Sequence, residues 1–292
     1  MSRASPIKRT TKLMNNSPLS PLISPLLVET FQRDGVVCIR QAFSPSWISV
    51  LERGMAANLK TPGPWACHYT PENQPGGFYD DYCNWERIPE YQEFLFQSPA
   101  ARVAGELLDS ENARLFHEHI LIKESGTRET TPWHHDLPYY CLDGNQLCSI
   151  WTPLDPVPES SALQFVAGSH RWKGLFLPRK FSSHQDYGYD SQSFRPVPDI
   201  DAETSQHQLL RWSMEPGDCI VFHMKTLHGG PGTMESTHNR RAFSSRWLGD
   251  DAVFAKRPGE TSPPFPKLIF KSGDPVDGDL FPVCWRADVS SS

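Results

Sequence analysis

The chain has 292 residues with 28 Lys and Arg against 34 Asp and Glu, a net charge of −6, which argues against a nucleic-acid surface, since that would need a basic stripe. Hydrophobic residues make up 38%, with 9 Trp and 16 Phe, enough for a sizeable core, while no apolar run approaches the about 18 residues of a membrane span. The 7 Cys are odd in number and form no Cys-x-x-Cys, which argues against a disulfide framework or structural zinc and makes a reducing, cytoplasmic setting the expectation.

In chain order, residues 1–23 read as a disordered tail. Arg3, Lys8, Arg9 and Lys12 make it basic, but Pro6, Pro18 and Pro21 break the amphipathic helix that an organelle address would need. A single domain is expected over residues 24–292. Its helical part runs to residue 110, followed by a β core over 111–255 and a C-terminal extension over 256–292. Ser24-Pro25 pairs an N-cap with Pro at the first helical position, opening a helix that stops at Gly35. Val36–Arg40 is a short β-branched strand. Ser44-Pro45 repeats the start signal, and Trp47, Ile48, Leu51 and Met55 continue at helical spacing to about Leu59. Residues 61–87, rich in Pro, Gly and aromatics, read as a long irregular loop. Helices are expected near 88–97 and 99–109.

From about residue 112 the pattern turns to strands. In Arg114–Lys123 alternation puts Leu115, His117, His119, Leu121 and Lys123 on one face. Gln146–Leu154 places Leu147, Ser149 and Trp151 together. Leu163–Val166, Cys219–Phe222 and Ala242–Leu248 are further short strands between turn signals. Helices followed by many short strands predict a mainly β fold, a jelly roll or double-stranded β-helix of cupin-like form, with helices packed outside.

The chemistry concentrates in His134-His135-Asp136. On a strand, residues i and i+2 share a face, so His134 and Asp136 can hold one metal ion while His135 points away. Alone, a His-x-Asp is weak evidence, because a polar strand end looks the same. A third ligand has to come from His223, at the end of an apolar strand, or from His228, in Leu227-His228-Gly229-Gly230. The glycines there allow close backbone approach and favour His228. Two imidazoles and one carboxylate with open positions are the ligand set of non-haem Fe(II) oxygenases. Twelve residues beyond His228 lies Arg240, sharing a strand face with Ala242, Ser244 and Arg246. A guanidinium fork matches a carboxylate bidentately, and Ser244 can add a hydroxyl donor.

In that order, Thr131-Pro132-Trp133-His134-His135-Asp136-Leu137-Pro138-Tyr139-Tyr140, Gly168-Ser169-His170, Gly217-Asp218 through His228-Gly229, and Asn239-Arg240-Arg241-Ala242 resemble the phytanoyl-CoA dioxygenase family of Fe(II)/2-oxoglutarate oxygenases. The resemblance covers roughly residues 26–255. It implies that His134, Asp136 and His228 ligate iron, and that Arg240 holds the distal carboxylate of 2-oxoglutarate. It also implies that Trp151 packs against the cosubstrate, with His119 near it, and that O2 is the second cosubstrate.

The retained Asp136 favours hydroxylation or a related oxidation over halogenation, because related halogenases replace this carboxylate to admit chloride. A small-molecule substrate, of the kind handled in secondary metabolism, is expected to meet Trp133, Tyr139, Phe78 and Arg246. Two other classes remain to be separated from this reading. A cupin-like isomerase or hydrolase has no need of the Arg240 clamp, and a non-catalytic ligand-binding jelly roll has no need of an intact triad.

Overall fold

The computed structural model describes residues 23–71, 73–179, 194–232, 239–265 and 269–288; the expected tail falls almost wholly outside them. The N-terminal half alternates helices and short strands: α1 (Pro25–Asp34), β1 (Val36–Ile39), α2 (Pro45–Lys60), β2 (Cys67–His68), β3 (Phe78–Tyr82), α3 (Pro89–Gln97) and α4 (Ala100–Leu108). Strands then follow: β4 (Asn112–Lys123), β5 (Thr131–His134), β6 (Leu142–Asp143), β7 (Leu147–Pro153), β8 (Gln164–Val166), β9 (Leu175–Phe176), β10 (Phe194–Arg195), β11 (Leu209–Leu210), β12 (Cys219–His223), β13 (His228–Gly230), β14 (Arg240–Leu248), β15 (Val253–Phe254) and β16 (Val283–Arg286).

Both Ser-Pro start signals open their helices, but only Ser24 caps with its side chain, Ser44 making no cap hydrogen bond. Ser24 Oγ accepts from the Leu27 N–H at 3.3 Å and so meets one of the orphan donors of the first turn. Gly35 closes α1 at φ 74°, a left-handed conformation open to glycine without a Cβ penalty. A Cβ there would also lie 2.2 Å from His170 Nδ1.

Two antiparallel sheets make the core, as a jelly roll requires. The larger has eight strands in the order β1-β12-β7-β14-β4-β3-β2, with β16 also on β4; the smaller runs β11-β8-β13-β5. Strand parity gives the larger sheet two distinct faces. Ile120, Ile122, Ile150, Val221, Phe243 and Trp247 point outward and pack with Leu51, Met55, Tyr91, Phe94, Val103 and Leu107 of the helices. Val36, Trp151, Ile220, Phe222 and Ala242 point inward and meet Leu163 and Phe165 of the smaller sheet side. Burying each large apolar side chain contributes roughly 1.5–3 kcal/mol, so the outer face carries most of the anchoring.

Two expectations are corrected. The loop expected over residues 61–87 contains β2 and β3, because β3 adds to β4 in the register Phe78↔Lys123, Asp80↔Leu121 and Tyr82↔His119. The second concerns β4, where the expected alternation holds from His117 to Lys123 but not at Leu115. A register shift against β14, from Arg246↔His117 to Trp247↔Leu115, inserts Phe116 as an extra residue. Leu115 is thereby turned to the helix side.

Candidate active site

The smaller sheet brings the ligand candidates together. β13 pairs with β5 so that His228 stands directly opposite His134. β5 ends at His134, and Asp136 sits at the start of the following 3-10 turn with φ −69° and ψ −36°. The turn, rather than strand parity, therefore carries its carboxylate to the histidines. One ligand atom from each of His134, Asp136 and His228 lies within 4.8 Å of the others, and all three residues are buried. Asp136 Oδ1 is 3.5 Å from His134 Nε2 and 3.7 Å from His228 Nε2.

The remaining atoms of these side chains are tied back. His134 Nδ1 lies 2.8 Å from the Pro132 carbonyl and His228 Nδ1 lies 2.9 Å from that of Thr226. Each Nδ1–H donates to its carbonyl, which leaves the Nε2 lone pair facing the other ligands, the outer support that metal-binding histidines use. Ser149 Oγ donates to Asp136 Oδ2 at 3.0 Å, leaving Oδ1 for a metal. Burial, then the neighbouring His134, pushes His228 down to about 4, so it is a neutral donor near pH 7. Burial alone would raise the Asp136 carboxyl, but its polar and cationic surroundings, His134 first, hold it well below the usual carboxylate range.

The other two histidines are tied to the backbone. His223 Nε2 contacts the Asn145 carbonyl at 2.8 Å, and its Nδ1 accepts from the Lys225 N–H at 2.9 Å. His135 turns away and accepts from the Phe176 N–H at 2.8 Å. Burial pushes both down to about 3, which makes them neutral structural groups. The glycines after His228 serve the strand packing: a Cβ on Gly229 would lie 3.2 Å from the Thr131 carbonyl, and one on Gly230 would lie 2.9 Å from Leu163 Cδ2.

A cavity of about 370 Å³ opens onto the three ligands. At one end lies Arg240, which is 6% exposed. Its guanidinium donates to the Ser161 carbonyl, and no carboxylate pairs with it among the described residues. Burial pushes it down to about 10, which still leaves it charged near neutral pH. A buried cation without an anionic partner is costly, so this end is preset for an anion. Lys123, opposite Arg240 in the β4–β14 register, stands beside it. Its Nζ donates to the Glu129 carbonyl at 2.8 Å and to Thr131 Oγ1 at 3.0 Å. Burial, with Arg240 nearby, pushes the Lys123 ammonium well below its ordinary value. The alternation of β4 marked Lys123 as inward, but a strand-end Lys alone gave no reason to assign it. Ser244 and Trp151 face each other in adjacent strands and line the wall between this end and the metal ligands.

The other end is held by a hydrogen-bonded chain. Arg246 Nε donates to Tyr140 Oη at 2.6 Å, Nη1 to the Ser244 carbonyl at 3.0 Å, and Nη2 contacts His119 Nδ1 at 3.3 Å. His119 Nε2 in turn reaches Asp80 Oδ2 at 2.8 Å. Asp250 and Asp251, the acids that follow β14, do not pair with Arg246: their carboxylates accept from the backbone at Glu111, Asn145 and Gln146. His119 stands opposite Ser244 in the β4–β14 register, four residues along β4 from Lys123, and bonds Asp80. Phe78 and Tyr139 line the cavity, but Trp133 does not. Its indole N–H donates to Asp201 at 3.0 Å, and it packs with the smaller cluster around Leu227 and Val197. His117 and Asp80 also line the cavity. Asp80 was hidden in a segment that read as loop.

Comparison with known proteins agrees with this geometry. The model of the family "Phytanoyl-CoA dioxygenase (PhyH)" matches residues 31–242. A curated relative from Caenorhabditis elegans, "Probable phytanoyl-CoA dioxygenase", is 24% identical over 176 residues, 59% of this chain and 51% of that protein; the chain spans about half the length of that relative. Among solved structures, the carbocyclase SnoK from nogalamycin biosynthesis has a TM-score of 0.70 at 21% identity, covering 89% of this chain and 96% of that one. The epimerase SnoN in complex with Fe3+, alpha ketoglutarate and nogalamycin RO gives 0.70 at 18% identity over 89% and 98%. EctD from S. alaskensis with 2-oxoglutarate and 5-hydroxyectoine gives 0.64 at 18% over 91% and 90%. These likenesses establish the double-stranded β-helix fold. With the family model spanning helices, both sheets and the three converging ligands, the chain belongs to the phytanoyl-CoA dioxygenase family of 2-oxoglutarate-dependent non-haem iron oxygenases.

Proposed function

We propose that the protein binds Fe(II) through His134, Asp136 and His228, binds 2-oxoglutarate through Arg240, and hydroxylates a small organic molecule. The observation that carries this reading is the buried Arg240, without an acidic partner among the described residues, in the same cavity as three converging metal ligands. The donor set fits iron, with two neutral imidazole nitrogens and one carboxylate oxygen on one side and room on the other. When bound, iron and 2-oxoglutarate supply the oxidising chemistry, in which O2-dependent decarboxylation of the keto acid to succinate and CO2 is coupled to oxidation of a substrate C–H bond.

The chain's own residues do the positioning. Arg240 and Lys123 neutralise the distal carboxylate of the cosubstrate, with Ser244 as a further donor and Trp151 as a packing wall. Ser149 fixes which Asp136 oxygen faces the metal. Tyr139 and Arg246 stay with the substrate side, whereas Phe78, with Lys123 Nζ 4.7 Å from its ring centroid, walls the cosubstrate end. Secondary metabolism fits as the setting, since SnoK and SnoN act in nogalamycin biosynthesis. The test is succinate formation from 2-oxoglutarate with Fe(II) and O2 across a small-molecule panel. Substrate-stimulated succinate that is lost in His228→Ala supports the reading; a native protein that releases none, with or without added compounds, contradicts it.

A further inference from the structure

Eight of the nine Trp side chains pack in the hydrophobic clusters of the core, and Trp65 packs in none of them. It is 38% exposed, against the high average burial of this residue type, and it lines the cavity. Its ring lies parallel to that of Tyr82, with centroids 6.1 Å apart and planes 5° apart. Tyr82 lines the cavity as well. Its ring meets His119 edge-on at 5.3 Å, and Ser262 Oγ donates to its hydroxyl at 3.2 Å. A large ring left out of the core beside a second, fixed ring offers a ligand an apolar aromatic surface.

The local sequence presets this pair. Gly63-Pro64-Trp65-Ala66 is a turn with Pro at its second position, closed by the Ala66 N–H on the Gly63 carbonyl at 3.4 Å. The Gly63 N–H donates to Asp81 Oδ2 at 2.7 Å; the same carboxylate accepts from Asn58 Nδ2 of α2 at 2.7 Å and from the Tyr82 N–H at 2.9 Å. Asp81 is fully buried, so one carboxylate ties down both the turn that carries Trp65 and the strand residue that carries the second ring. A Cβ on Gly63 would run into Asn84 Oδ1, which explains the glycine. Rings held in place before a ligand arrives lose little freedom on binding. Around the pair, polar side chains are spent on one another. Asp80 Oδ2 accepts from Tyr69 Oη and His119 Nε2, Arg246 donates to Tyr140 Oη, and Tyr139 Oη bridges both backbone groups of Arg179. A ligand rich in hydroxyls would give up its bonds to water here for few replacements. An aromatic ring needs none and gains stacked or edge contacts.

We propose that the substrate carries a planar aromatic ring that lies against Trp65 and Tyr82, with Trp65 as a specificity-determining residue. This rests on the oxygenase reading above, and the test separates the two. Protein loaded with Fe(II) and 2-oxoglutarate under nitrogen is checked for its weak visible charge-transfer band, then dialysed against naphthylmethanol, its fully hydrogenated counterpart and methyl glucoside. The hydrogenated alcohol has the larger apolar surface, so burial alone favours it. The naphthyl compound should nevertheless bind about 2- to 12-fold tighter, the scale of one aromatic pair beyond its buried area, and the glucoside should bind more weakly than both. Trp65→Leu, which keeps an apolar side chain without a ring, should remove that margin, whereas Trp65→Phe should keep part of it. Both variants should retain the band, because Trp65 belongs to no core cluster and touches no metal ligand. A naphthyl compound that binds no better than either of the other probes, or a margin unchanged in Trp65→Leu, overturns the proposal. Absence of the band in the native protein contradicts the oxygenase reading instead.

Discussion

The two faces of the eight-stranded sheet are built from the same strands and carry opposite chemistry. Outward, β14 contributes Phe243 and Trp247 to a core shared with α2 to α4. Inward, the same strand contributes Arg240, Ser244 and Arg246 to the cavity. The outer face holds the sheet rigid, and the inner face can then keep polar groups whose partners are absent. One residue along the chain is enough to change a side chain's role from anchoring to binding.

Removing a ligand tests the inner face most severely. Asp136→Ala should abolish substrate-stimulated succinate release and reduce metal affinity, read by dialysis, by more than the about 10–100-fold typical of losing an outer-shell partner. It should leave the denaturation midpoint of the metal-free protein near native, because the change touches no part of the outer core.

The reciprocal change is Phe243→Ala. Truncating this buried ring should cost roughly 3–5 kcal/mol of stability, measured by denaturant unfolding. Whatever fraction remains folded should keep its affinity for 2-oxoglutarate; a selective loss of cosubstrate binding would break the division between faces.

Arg240→Met sharpens it further. 2-Oxoglutarate affinity should fall by about 1.5–3 kcal/mol, the contribution of a charged hydrogen bond. The metal-free protein should unfold no more easily than the native one, because an uncompensated buried charge has gone. Equal affinity in the variant would remove Arg240 from the site.

A test by pH concerns Glu118, which with Asp81 breaks the apolar pattern outside. Glu118 is fully buried on the helix side, and burial pushes its carboxyl up to about 8 from an unfolded value near 4.3. The folded protein therefore holds a proton that the unfolded chain has released. Stability from this group is fully present below about pH 4 and is lost as pH rises towards 8. The slope is at most about 1.4 kcal/mol per pH unit. Unfolding curves of native and Glu118→Gln protein should diverge across that window, with the variant gaining relative stability as pH rises; parallel curves would contradict the shift.

Much of this arrangement was legible in the residues. Alternation identified the inward face of β14, and the glycines marked His228 over His223. Gly229 and Gly230 allow close approach to β5 and Leu163, and a Cβ on Gly230 would also lie 3.9 Å from Arg240 Nη2. Three features were not legible. The Phe116 bulge is not fixed by local pattern, because Leu115-Phe116 and Ile120-Leu121-Ile122 are apolar runs that fit either parity, and pairing with β14 shows the extra residue. β3 reads Phe-Tyr-Asp-Asp-Tyr, without an apolar alternation, and becomes a strand through its neighbour β4; that hid Asp80. Trp133 adjoins a ligand in sequence, but parity sends its ring to the opposite side from His134, where Asp201 receives it.

The central claim is that the inner face, through His228 rather than His223, assembles an iron and 2-oxoglutarate site. Anaerobic titration with Fe(II) and 2-oxoglutarate tests it most directly. The account predicts a weak visible charge-transfer band in the native protein that persists in His223→Ala and vanishes in His228→Ala. A band that vanishes in His223→Ala but persists in His228→Ala, or no band in the native protein, would contradict it.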